Sequence, residues 1–361
     1  MTQSVSMSLH SAQAGAVPSY RRAVQIWLWI VAALIFAMVV VGGATRMTES
    51  GLSITEWHPI SGVIPPLSYD AWVAEFDKFK QIPQYKAIHA DLDLNGFKFI
   101  FFWEWSHRLL GRAIGFVVAL PLIFFWLRGA LTRDLKFKLV GLLVLGGLQG
   151  FVGWWMVASG LVNRIEVAQE RLAAHLLLAS ILFAATVWVA SSLSPKSAIR
   201  SEPWQRSFAS IMVVVTLLQI FLGGLVAGLR AGRAYNTWPL MDGHFVPNVL
   251  MTLEPWWRNF VDNIATVQFQ HRVVAYTLFA LAIVQAFAAW RAIPASRAAR
   301  RATHFAMLVG LQAILGIVTL LLVVPLWAGL VHQAFAMLVL LGAVRYLQAL
   351  EAGKTNALAR P

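Results

Sequence analysis

Eight apolar runs divide the chain, and polar residues gather in the segments between them. A bilayer core takes roughly 20 apolar residues as a helix. The runs predict spans over residues 24–44, 103–126, 138–158, 172–192, 208–229, 268–290, 304–325 and 327–348, with Pro325 as the breaker between the last two. Segments 45–102 and 230–266 are rich in Pro, Gly, Trp and Asp. Both are too long for simple connectors and predict a cap over one end of the bundle. Within the first, DAWVAEFDKFKQIPQY has the pattern of a short amphipathic helix at the interface.

Composition agrees with an all-α polytopic membrane protein in the lipid bilayer. Charged residues make up 12% of the chain, against about 25% in soluble domains, and the mean hydropathy is +0.67. The net charge of +13 does not point to nucleic acid, because the basic residues lie mostly in short loops. With the N-terminus inside, the inner segments carry sixteen Lys and Arg against Asp134, Glu202 and Glu351, while the outer ones hold most of the acids. This bias predicts both termini in the cytoplasm. The absence of Cys excludes disulfides, iron–sulfur clusters, CxxCH heme attachment and thiolate chemistry. Residues 1–23 read as a Ser-rich cytoplasmic leader. The run after it is too long for a signal-peptide core, so it reads as a retained span. The few basic residues of the leader argue against a mitochondrial transit peptide and favour a bacterial inner membrane.

The two halves resemble each other. VVVGGATRM in the first span matches IFLGGLVAG in the fifth, and Trp57 and Trp238 each follow the second glycine by fourteen residues, beside Pro59 and Pro239. EWSHRLLGR of the second span aligns with QFQHRVVAY of the sixth, and LQGFVGWW of the third with LQAILGIV of the seventh. The fold expected is therefore two tandem four-helix-bundle repeats in the same orientation, because each contains an even number of spans. Residues 24–192 form the first repeat, 193–207 an inner linker, 208–348 the second repeat and 349–361 a cytoplasmic tail.

Four histidines stand at matching places: His107, His175, His271 and His332. Each opens a span running from outside to inside, so all four lie at similar depth. Histidine is costly in a bilayer, and neutral imidazole is a standard axial ligand for heme iron. Two pairs facing across two bundles predict two heme pockets. The remaining histidines, His10, His58, His89, His244 and His304, do not share the pattern and read as solvated or interfacial.

The halves differ in one telling place. Glu104 precedes His107 by one helical turn, where the second half has Gln268 before His271. Gly111 and Gly115 extend the same face and let a flat macrocycle approach the backbone. An ionisable carboxylate beside one pocket and a neutral amide beside the other suggest that the first half does chemistry and the second holds a permanent heme. The competing reading pairs Glu104 with Arg108 or Arg112. Arg108 and Arg272 suit heme propionates or snorkelling to headgroups, and Gln149 and Gln312 read as helix bridges.

On GGATRMTESGLSITEWHPISGVIPP, EWSHRLLGR, QHRVVAY and the paired later histidines, the chain resembles the heme A synthase family, in its cysteine-free branch shared by mitochondria and related bacteria. The resemblance implies oxidation of the C8 methyl of heme o to the formyl of heme a, through successive hydroxylations and loss of water from a geminal diol. It implies that His271 and His332 ligate heme b, that His107 and His175 hold substrate heme o, and that Glu104 is the family's acidic residue with a catalytic, proton-handling role. An electron donor is required but not identified, and pathway logic suggests an association with heme o synthase. Because heme o carries a long isoprenoid tail, a lateral opening in the first half is expected, at a place the sequence does not locate. Two other classes fit the four histidines: a di-heme b-type electron-transfer cytochrome, and a heme transporter or chaperone.

Overall fold

The computed structural model describes residues 18–58, 61–162, 164–194 and 201–358. Most of the leader, with His10, and Pro59, Lys196, Arg200 and Arg360 lie outside the described residues. Among those described, the chain is helical, with eight helices long and apolar enough to cross a membrane: Tyr20–Met47, Leu94–Leu127, Arg133–Ala158, Gln169–Ser192, Pro203–Gly228, Ile264–Ala292, Arg297–Leu321 and Leu326–Ala352. They are called spans 1 to 8.

The helices overrun the apolar runs because polar caps, not hydropathy, end them. Span 2 starts at Leu94, nine residues before the expected start at 103, because Asp93 caps it by accepting from Gly96 N at 2.7 Å. Thr132, Asn263 and Ser296 cap spans 3, 6 and 7 in the same way. Span 7 ends at Leu321, short of the expected 325. Val323 and Val324 follow with φ of 59° and 57°, a left-handed turn unusual for β-branched residues. Pro325 comes after that turn, directly before span 8, and is not what stops span 7.

In the first half, span 1 packs on spans 2 and 4, and span 3 on span 4. In the second, span 5 packs on 6 and 8, and span 7 on both 6 and 8. Across the middle, span 4 meets span 5, and span 8 meets spans 1 and 4. One apolar core therefore runs through both halves, from Val24, Leu28 and Val31 through Val187 to Leu340 and Val344. Glycine permits this closeness: a Cβ on Gly224 would lie 2.8 Å from Ala173 Cα, and one on Gly43 would lie 2.4 Å from Gln333 Oε1. Gly224→Val should force spans 4 and 5 apart, cost about 1–3 kcal/mol, and lower the Tm of the purified protein. Gly141→Ala, which meets open space inside span 3, should not lower the Tm.

Ion pairs tie the halves together at the loop end. Arg46 of span 1 reaches Glu166 at 2.5 Å and the carbonyl of Gly228 at 3.2 Å; Arg230 reaches Glu49 at 2.7 Å and also Glu166. The amphipathic segment forms the helix Tyr69–Phe79, capped by Ser68. Its Trp72, Phe76 and Phe79 pack on Phe97 and Phe101, so it docks on the extended start of span 2. Lys78 links this helix to Glu56 at 2.9 Å. Chiefly through Lys78, and then His58, the Glu56 carboxyl sits below its ordinary 4.5. A depressed carboxyl stabilises fully above its ordinary value and loses that contribution as pH falls through the folded one. The protection of residues 69–79 against hydrogen exchange, relative to the intrinsic rate at each pH, should therefore fall on acidification below pH 4.5 and be steady from there to neutrality.

Candidate functional site

Each histidine is seated by the same two-helix device. The span before it presents a glycine to the imidazole, and a Cβ on that glycine would crowd the ring Cε1. The distances are 2.9 Å for Gly42 and His107, 2.9 Å for Gly153 and His175, 3.3 Å for Gly223 and His271, and 2.9 Å for Gly316 and His332. Four residues before the glycine, on the same helix face, stands the residue that holds the ring. Gln149 Nε2 lies 3.1 Å from His175 Nδ1 and donates to the His175 carbonyl at 3.1 Å. Gln219 does the same for His271, at 3.1 and 3.0 Å, and Gln312 for His332, at 3.2 and 3.0 Å. Gln149 and Gln312 bridge helices, as expected, and Gln219, which hydropathy alone does not single out, does the same. The Gln-x-x-x-Gly spacing, present three times, was the signal that could have found it.

His107 departs from the rule. Met38 occupies the place of the glutamine, and the His107 Nδ1 is buried without a hydrogen-bond partner. One imidazole of four is thus seated by a glycine and left untethered by an amide.

His271 and His332 line one cavity of about 330 Å³, together with Gln219, Gly223, Gln312 and Gly316. First-half residues Val39, Gly43, Arg46 and Leu176 complete its wall. Among the described residues no group of three or more His, Cys, Asp or Glu converges. Paired imidazoles are therefore the donor set on offer, and they suit an iron already held by a macrocycle. An imidazole that binds iron through Nε2 keeps its proton on Nδ1 and needs an acceptor there. The Oε1 atoms of Gln149, Gln219 and Gln312 are buried without partners, and each amide, turned over, would supply that acceptor.

Glu104 is 3% exposed. Its carboxylate accepts from Ser53 Oγ at 2.9 Å, from Ile54 N at 2.8 Å and from Arg108 at 2.5 Å. The pairing with Arg108 weighed from the sequence is present, and the carboxylate is buried within the protein. Arg108 also donates to the carbonyls of Ile54 and Glu56, and Arg272 to those of Tyr235, Thr237 and Leu240. Both arginines pin the loop above their histidine, a role not foreseen. Gln268 repeats the part of Glu104, donating to Tyr235 O at 2.6 Å and accepting from Arg272 at 3.3 Å. His58 is exposed beside Glu56, and His244 and His304 are also exposed.

The model of the cytochrome oxidase assembly protein family matches residues 25–344, from within span 1 to within span 8. A heme A synthase of Beijerinckia indica subsp. indica is 62% identical over 338 residues, 92% of this chain and 94% of its own length. Heme A synthases of Mesorhizobium japonicum and Brucella abortus are 54% and 53% identical, over 89% and 91% of this chain and 88% and 92% of theirs.

Proposed function

The chain belongs to the cytochrome oxidase assembly protein family, and from that premise we propose that it acts as a heme A synthase, oxidising the C8 methyl of heme o to the formyl of heme a. It is an integral membrane protein, and the reading places it in a bacterial inner membrane with both termini cytoplasmic. Residues 24–192 and 208–348 are read as two four-helix repeats, the first for substrate and the second for a resident heme b. The observation that carries the division of labour is the exchange of Glu104 for Gln268 at otherwise matching stations.

In this reading His271 and His332 hold heme b, which when bound supplies a one-electron redox centre beside the substrate half. Gln219 and Gln312 orient those imidazoles, and Gly223 and Gly316 leave room for their rings. His107 and His175 position the porphyrin of heme o. Glu104, fixed by Ser53, Ile54 and Arg108, is the proton-accepting group next to the substrate pocket. The missing amide at Met38 makes His107 the less restrained of the two substrate ligands. Residues Val39 and Gly43 of span 1 wall the second cavity, so one helix borders both pockets. An electron donor and heme o synthase remain the partners this function calls for.

Extraction of pigments from the purified protein tests the proposal. Heme b is expected together with heme o or heme a. Heme b alone, with no conversion of added heme o under turnover conditions, would instead indicate a b-type electron-transfer cytochrome.

A further inference from the structure

The cavity lined by His271 and His332 is charged at one end. Arg46, Glu49, Arg230, Arg233 and Arg272 line it, and all five belong to the loop end. Arg46 is in the last turn of span 1 and Glu49 just beyond it; Arg230 and Arg233 follow span 5, and Arg272 adjoins His271. Deeper in the spans the wall is apolar, as at Leu278 and Met337.

The charges at that end do not cancel. Arg46 and Arg230 are matched by Glu49 and Glu166. Arg272 donates to the carbonyls of Tyr235, Thr237 and Leu240 and to Gln268. Arg233 is exposed on the short helix Ala231–Ala234, and its guanidinium has no hydrogen bond or ion pair among the described residues. Two guanidiniums are thus left without a carboxylate among those residues. Two buried donors are left over as well, because the Nε atoms of Arg46 and Arg272 have no acceptor. A buried donor without an acceptor costs about 1–3 kcal/mol, so both positions favour a ligand that brings acceptors.

The first half lacks the unmatched pair. Arg108, the counterpart of Arg272, is neutralised by Glu104. Nine residues after Gly224 stands Arg233, whereas nine after Gly43 stands Leu52, buried in an apolar cluster.

A heme is apolar over most of its surface and carries two propionate carboxylates on one edge. Guanidinium matches carboxylate in both charge and geometry. We propose that Arg233 and Arg272, with Arg46 from the other half, hold the propionates of heme b in the second pocket. This clamp rests on the reading of that pocket as the heme b site. It supplies an anchor that the substrate half lacks at the same stations, which suits one heme that stays and another that leaves.

Release of heme from the purified full-length protein to excess apomyoglobin, followed by absorbance, tests the clamp. Every protein carries His107→Ala, so that the first pocket does not compete. Each is loaded with iron protoporphyrin IX or with its dimethyl ester, in which both carboxylates are uncharged. The Arg233-bearing protein should release the ester about tenfold faster than the free acid, the scale of one charge-assisted hydrogen bond. Arg233→Gln should release the free acid about threefold to tenfold faster and the ester at the unchanged rate. Arg233→Lys should fall between, and Arg233→Gln with Arg272→Gln should release both pigments at nearly the same rate. Free acid and ester leaving the Arg233-bearing protein equally fast, or Arg233→Gln speeding both alike, would overturn the clamp. If His271→Ala leaves release unaffected, the pocket assignment fails and the clamp with it. Release that depends on His271 and not on Arg233 sinks the clamp alone.

Discussion

His271→Ala should strip the resident heme from the second half, and with it the absorbance of the purified protein that belongs to heme b. Among the described residues the imidazole is one of two that line that cavity. Gln219 and Gly223 serve to hold and admit this ring. Outer-shell changes at metal sites typically cost about 10–100-fold in affinity, so removal of the ligand should cost at least that. The protein should still fold, because its central core runs through spans 1, 4, 5 and 8 and does not depend on the ring. His107→Ala is the counterpart: heme b content close to wild type, with heme o no longer processed. A His271→Ala protein with full heme b content would show that the second pocket is not where the resident heme sits.

Glu104→Gln should lower heme a formation by about 100-fold or more, the usual scale for loss of a positioned acid or base, with heme b content unchanged. The second half shows why the substitution is a clean one. Gln268 occupies the same station, accepts from its arginine and holds its loop. An amide at residue 104 should therefore keep Ser53, Ile54 and Arg108 in place and remove only the capacity to take a proton. Turnover assayed with added heme o, alongside the pigment spectrum, separates the two effects. Wild-type turnover would leave Glu104 a structural partner of Arg108 and nothing more.

The eight spans and the four histidines were legible because their signals are local. An apolar run records its own length, and a histidine within it stands out against leucine and valine. The relation of Glu104 to His107 was also readable, since one helical turn fixes which residues share a face. Polar caps displaced the span ends, because Asp93 starts span 2 in a stretch that hydropathy leaves ambiguous. Gln219 was missed because its role depends on His271, which lies on another helix. The arginines were read as ligands for propionate or headgroup because the loops they pin are distant in sequence: Arg108 reaches back to Ile54 and Arg272 to Tyr235.

By itself the sequence determined an eight-span membrane protein with duplicated histidine stations, one of them beside a carboxylate, because length, hydropathy and helical spacing are properties of single segments. Only the tertiary structure decided which spans are central. Span 2, with mean hydropathy 2.0, has 11% of its apolar window buried, and span 8, with 1.7, has 33%. Hydropathy cannot rank them, because lipid is as apolar as a neighbouring helix and gives no separate signal for a packed face. The same holds for the glycines: Gly224 and Gly115 look alike in the chain, yet one lies against Ala173 and the other faces open space. What a missing side chain means depends on what stands opposite it, and that is set by how the helices pack.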